Sequence, residues 1–429
     1  MQSGLTRRQF VAAALGAGTV LAAGVALSGC APADAVEALV ATVKSGAPDA
    51  RVSMLLQVPD EALVLGSEFD EAPDTDYFVE QASYELPVGS LLYQDSDRFA
   101  TVLMPGATSD VLIALATLDL DSGVVATVME RAVEDASRYC IYDARANDQV
   151  IIWVESEMTQ GKWKVYGARF EGGVRGEPFL LDSGGAGYEA PQLCVHGPRV
   201  YWTVMPDPLG AASAEDSLLK TASFVSLAAG AGAGAGAGGV ARDGQDLVRT
   251  LYVSHGRMTT CPQAADGIIT IVPRVNTDAV RYQMTALHAD TGQVADVALL
   301  PSGLRLSDCV HLAGAFSFCI EANYDYAGGL RYFGTYQQLQ DGNVFYANKV
   351  PSSPPVSSGG CLMIKSTKNV VGFDMARRRF FILDKLDDSA DYGDVLAGSG
   401  LRQRLVVYTT VTSRTSAESS VRVRVFRPA

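Results

Sequence analysis

Apolar residues along this chain come in short runs separated by turn residues, and the stretch from Met284 to Glu321 shows the pattern most plainly. MTALHAD (284–290) reads as a strand, Asp290-Thr291-Gly292 as a turn, and VADVALLP (294–301) as a second strand stopped by Pro301. LRLSDCV and AFSFCIE supply two more strands around the turn at Leu312 to Gly314. These parts recur in the same order every roughly 45 to 65 residues. The repeats run over about 88–132, 138–182, 189–253, 256–301, 305–350, 354–386 and 394–429.

Four-stranded units repeated in this way predict an all-β chain folded as a β-propeller of seven blades, in which radial repetition protects the strand edges. Third strands share small residues beside aromatics (VYGARF, KTASF, QMTAL, YFGTY, VVGFD), as strands packed between two neighbouring sheets require. The last repeat, RQRLVVYTTV and SVRVRVFRP, is one strand short. YFVEQASYELPVGSLLYQDSDRFATVLMP, beginning at Tyr77, matches the second, third and fourth strands of the stretch from Met284 to Glu321, including the proline that ends the second, so the chain enters the repeat one strand early and Tyr77 to Leu86 is expected to complete the last blade and close the ring. The sixth repeat is compressed, which leaves six or eight blades open. Residues 51 to 69 hold two apolar runs with no place in the repeat, and DEAPDTD (70–76) reads as an acidic loop. The tract AAGAGAGAGAGG (228–239) falls between the third and fourth strands of blade three as a loop with nothing to bury.

The first thirty residues have another character: a short basic start, an Ala/Gly/Val/Leu stretch from Val11 to Leu27, then a cysteine after small residues. Thr6-Arg7-Arg8-Gln9-Phe10 resembles the twin-arginine motif of the Tat export pathway, and Leu27-Ser28-Gly29-Cys30 resembles the lipobox of bacterial lipoproteins. The resemblance implies export through Arg7 and Arg8, cleavage before Cys30 and a diacylglyceryl group on its thiol, leaving a protein tethered outside the cytoplasmic membrane. Residues 1–29 are then signal peptide, 30–75 a lipid-anchored tether and N-terminal extension, with a short helix expected over 35–45, and 76–429 the propeller. Residues 190–202, APQLCVHGPRVYW, are loosely similar to the repeat of TolB-like propellers but lack its Pro-Asp-Gly turn, so no function is carried over.

Composition narrows the partners. Lys and Arg number 34 against 48 Asp and Glu, and loss of residues 1–29 takes away two arginines and no acid, leaving about −16. Such a charge repels phosphate backbones, which excludes nucleic acid as a partner. Beyond Cys30 six cysteines remain. Cys140, Cys194, Cys261 and Cys309 fall at one slot of the repeat, too far apart between stacked sheets for disulfides, and read as small apolar fillers.

Catalytic motifs are scarce. HExxH, CxxC, Walker and Rossmann patterns do not occur, and Ser217-Leu-Leu-Lys220 enters a strand where an SxxK nucleophile opens a helix. Cys194-Val195-His196 and Cys309-Val310-His311 place thiol and imidazole on one side of a strand, a metal set only if blades three and five converge. Asp387, Asp388, Asp391 and Asp394 have the spacing of a calcium loop or of a solvated acidic one. The resemblance to propellers implies a binding face built by loops entering first strands and joining second to third. Those loops carry His255, Arg257, Arg274, Asn276, Glu321, Asn323, Tyr324, Asp325 and Tyr326. The reading is a monomeric cell-surface module that binds a protein, peptide or glycan without cofactor or catalysis. The alternatives are a hydrolase or lyase using Glu321 and Asp325, and a metal or redox protein using the CVH pairs.

Overall fold

The computed structural model describes residues 43, 49, 51–53, 69–106, 109–157, 159–224, 248–276, 280–300, 302–323, 334–338, 344–347, 354–366, 369–384, 386, 393–412 and 418–429. Their regular secondary structure is almost entirely strand, arranged as a β-propeller. Seven sheets follow one another along the described chain. Sheet one is built from Leu91–Tyr93, Phe99–Gly106, Ser109–Asp119 and Val125–Met129, and sheet two from Cys140–Ala146, Val150–Glu157, Lys162–Glu171 and Phe179–Gly184. Sheet three takes Leu193–His196, Arg199–Val204, Ser217–Ser223 and Val248–Ser254; sheet four Gln263–Ala265, Ile268–Ile271, Val280–His288 and Val294–Leu299. Sheet five comprises Leu304–Leu312, Ala315–Asn323, Gly334–Gln338 and Val344–Ala347; sheet six Val356–Ser358, Cys361–Lys365, Val370–Asp374 and Arg379–Ile382.

Sheet seven joins the chain's two ends. Val395–Leu396, Leu405–Thr412 and Ser419–Pro428 are completed by Phe78–Pro87, which pairs antiparallel with the C-terminal strand from Phe78↔Pro428 to Pro87↔Ser420. The early strand therefore does what its position in the repeat predicts. Tyr84 on this strand donates to the carbonyls of Leu120 (3.2 Å) and Asp121 (3.1 Å), which ties sheet seven to sheet one.

The cores lie between the sheets. Alternate residues of a strand face opposite sides, so Ile151 and Trp153 pack toward sheet one while Ile152 and Val154 pack toward sheet three. The run VIIWV is apolar without alternation because both its faces are covered. Every pair of consecutive sheets shares such a cluster, and Leu86, Val421, Val423 and Val425 with Leu92, Ala100 and Val102 join the seventh to the first. Small residues in third strands have a more local cause than packing between sheets: a Cβ on Gly372 would lie 2.1 Å from the ring of Phe381, its cross-strand partner, and one on Gly167 2.8 Å from Leu181 of the same sheet, with Phe224 from beside sheet three at 2.9 Å.

Two short segments depart from the sequence reading. Arg51–Ser53 adds in parallel to the outer strand of sheet four, and Asp70–Glu71 in parallel to that of sheet six. DEAPDTD is thus not simply a loop: its first two residues pair as strand, and Asp74–Asp76 forms a 3-10 turn. Phe69 anchors this segment between Phe345 and Phe373, with ring centroids 5.3 and 6.2 Å away, and Tyr77 stacks on Phe381 at 4.6 Å. Of the expected helix over 35–45 only Val43 is described, and it is helical.

Sheet six also buries a lysine. Withdrawal from water pulls the Lys365 ammonium down from 10.5 to about 8, with Asp394 acting in the opposite direction. Between those values the unfolded chain holds a proton that the folded one releases, so this group makes stability rise with pH across that window. Lys365→Met is expected to melt higher near pH 7 and to lose that rise, as thermal melts of both proteins at about pH 7 and pH 9.5 will show.

Candidate functional site: the upper face

First strands of sheets two to five touch one another in turn, and Gly400–Leu401 touches those of sheets four, five and six, which marks the axis. The face bearing the sheet-to-sheet connections and the loops between second and third strands is here called upper. The opposite, lower face carries the turns between first and second and between third and fourth strands.

At the lower end of the axis the connection from Leu396 to Leu405 crosses the ring. Gln94 of sheet one bridges Gly398, Ser399 Oγ donates to Gln263 of sheet four, and Gly400–Leu401 pairs in parallel with the first strand of sheet six. Arg402 and Arg145 flank Asp95 at 3.8 and 3.9 Å, and burial raises the Asp95 carboxyl despite both guanidinium groups. This segment crosses the lower end of the axis, opposite the upper face.

On the upper face the loops before sheets three and four are stitched to the loop Met205–Asp216. Arg257 pairs with Glu189 and donates from Nη1 to the Pro206 carbonyl at 2.6 Å. Arg274 N donates to the Arg257 carbonyl at 2.8 Å, and a Cβ on Gly256 would sit 1.6 Å from the Arg274 carbonyl oxygen, so only glycine allows this approach. His255 Nδ1 lies 2.7 Å from Asp216 Oδ1 and is 94% exposed. Tyr188 donates to Glu215 at 2.5 Å, which raises its phenol. The 205–216 loop is held by its own backbone, including Asp207 N to Gly187 O (2.9 Å) and Glu215 N to Ala212 O (2.8 Å), and by Leu209 N to Asp207 Oδ1 (2.7 Å). Leu209 at its tip is 91% exposed, with Val253 at 50% and Val280 at 43% on neighbouring elements. The sequence reading named His255, Arg257 and Arg274 as candidates and did not name Tyr188, Glu189, Asp216 or Leu209. The Pro-Asp-Pro-Leu-Gly turn around Leu209 was the available signal.

The other expected site residues are distributed differently. Glu321, in sheet five, accepts from Arg305 Nε at 2.6 Å. Asn276 and Asn323 end strands of sheets four and five, while Tyr324, Asp325 and Tyr326 lie outside the described residues. Arg7, Arg8, Cys30, Asp387, Asp388, Asp391 and the 228–239 tract also lie outside them. Asp394 is not part of a solvated acidic loop: it is buried and paired with Arg424 Nη2 at 2.6 Å.

Neither CVH tripeptide makes a metal set. Sheet four separates them; His311 Nε2 is 3.3 Å from Asp296 Oδ2, and His311 N donates to Thr270 Oγ1 at 2.8 Å. Among the described residues no three His, Cys, Asp or Glu are grouped to hold a metal ion. The six described cysteines are unbridged, and burial pushes the Cys194, Cys309 and Cys319 thiols well above their usual range and Cys361 to about 11, the opposite of a reactive thiolate.

No protein-family model matches the sequence, and no characterised protein matches it at the level of sequence. Solved structures do. A prolyl endopeptidase superposes with a TM-score of 0.50 at 13% identity, over 81% of this chain and 46% of its own. A puromycin-hydrolysing peptidase of Mycobacterium tuberculosis gives 0.46 at 13%, over 77% and 51%. The β-propeller domain of the trilobed protease from Pyrococcus furiosus gives 0.42 at 9%, over 66% and 82%. The chain spans about half the length of the two peptidases, and at this identity the likeness to the first is one of fold. Among the described residues no helix is long and apolar enough to cross a membrane.

Proposed function

We propose that this chain is an exported lipoprotein whose propeller binds a protein or peptide at the cell surface through the upper quadrant of sheets three and four. The observation that carries the reading is that rigid quadrant, in which Leu209, Val253 and Val280 stand exposed among ion pairs already made within the protein. Side chains and loops held in place before binding lose little entropy when a partner arrives. An exposed apolar anchor rimmed by polar groups is the usual anatomy of a protein interface. We further infer seven blades, supported by seven sheets with a buried cluster between each consecutive pair. Arg7 and Arg8 carry the export signal and Cys30 the lipid, on the motifs around them.

Affinity capture from an extracytoplasmic extract, quantified by mass spectrometry, tests the binding face. Leu209→Asp is expected to lower recovery of the captured partner at least about tenfold, the scale of a truncated hot spot, with the melting temperature unchanged. Equal recovery by both proteins would remove the quadrant from consideration.

A further inference from the structure

The direction in which the N-terminal segment meets the propeller bears on orientation. The outer strand Val294–Leu299 runs from the lower face to the upper, and Arg51–Ser53 lies parallel to it. Arg51 is its lower end, since its guanidinium also reaches the carbonyl of Gly314 in a lower turn of sheet five and pairs with Asp296. The chain before Arg51 thus leaves from the lower rim of sheet four.

We propose that the lower face is the membrane-contacting surface of this protein and that the upper quadrant points away from the bilayer, an inference that rests on the lipid anchor at Cys30. The residues between Cys30 and Arg51 can span at most about 70 Å, and they join the propeller on the lower side. Exposed apolar side chains stand on lower turns, Val174 at 71% and Val124 at 59%, and Leu401 at 52% on the segment that crosses the lower end of the axis. Arg175 adjoins the first, and Arg377 and Arg378 lie exposed on another lower turn. Apolar tips beside arginines suit the bilayer interface, where the stem enters and the charge stays with the head groups. Leu209 shows that the upper face has apolar tips too, so exposure alone selects neither side; the root of the tether does. Each tip contributes little, but a tether converts contact into an intramolecular event at millimolar effective concentration, at which weak contacts suffice. The partner is the apolar interface rather than anionic charge, because the chain is itself strongly acidic.

The test uses full-length protein purified from membranes and reconstituted in phosphatidylcholine vesicles, with and without brominated acyl chains. Its native tryptophans, Trp153, Trp163 and Trp202, are buried and give a constant background. Emission added by Val174→Trp is expected to fall at least twofold in brominated vesicles, and emission added by Leu209→Trp to stay unchanged. Quenching at Leu209→Trp equal to or above that at Val174→Trp overturns the orientation while leaving the anchor in place. Mass spectrometry of the N-terminal peptide separates the two readings: absence of acyl groups on Cys30 removes the anchor, and the orientation with it.

Discussion

A chain shortened to begin at Val88 is expected to show no cooperative thermal unfolding. It loses the strand that completes sheet seven, and with it the buried side chains of Tyr77, Phe78 and Leu86. Each contributes roughly 1.5–3 kcal/mol of burial. Together they approach the roughly 5–15 kcal/mol that separates folded from unfolded domains. The deletion also uncovers the edge of Ser419–Pro428 and removes Tyr84, whose ring covers Gly123 and whose hydroxyl holds the lower turn of sheet one. Two sheets are therefore damaged by one cut. Calorimetry of the shortened protein should show no transition, and a peptide of residues 69–90 added in excess should restore one. A transition like that of the intact protein would mean that the ring closes without its N-terminal strand.

Asp394→Ala is expected to cost about 3–5 kcal/mol, the usual penalty for leaving a buried charge unpaired. Its partner Arg424 is 5% exposed and Asp394 2%. Arg424 also donates to the Asp384 carbonyl at 2.5 Å and reaches Glu80 from Nη1 at 3.4 Å, a longer contact to a part-exposed carboxylate that replaces only part of the lost pair. Replacing both, Asp394→Leu with Arg424→Met, should recover most of the loss, because apolar residues of similar size fill such a site without a desolvation cost. Denaturant midpoints of the single and double variants decide between this account and one in which Asp394 serves a ligand; in the latter, the double variant would regain stability no better than the single one.

Much of the ring was legible beforehand because propeller sheets are local. Strands adjacent in sequence pair with one another, so VIIWV and the glycines of VYGARF and VVGFD announced their positions through spacing alone, whereas the two CVH tripeptides stand one residue out of step with each other in their hairpins. The cysteines do not share a slot as expected: Cys140, Cys194 and Cys309 stand six, two and three residues before the ends of their first strands, and Cys261 precedes Gln263–Ala265. The upper face was legible only by loop position: His255, Arg257 and Arg274 belong to a common surface, but their partners Asp216, Glu189 and Pro206 come from other loops that no period connects to them. Asp394 was misjudged for the same reason, since a run of aspartates looks solvated until Arg424 is found beside one of them.

The sequence by itself determined the repeating four-stranded unit, the strand borrowed from Phe78–Pro87, and the motifs around Arg7, Arg8 and Cys30, since each depends on residues near one another or on a missing member of a series. Only the tertiary structure decided that Arg51–Ser53 and Asp70–Glu71 lie along sheets four and six, and that Gly398–Arg402 crosses the axis. Those segments are two to five residues long, too short for alternation to register. Their partners are supplied by distant parts of the chain, where pairing is chosen by which edges and channels the folded ring leaves open.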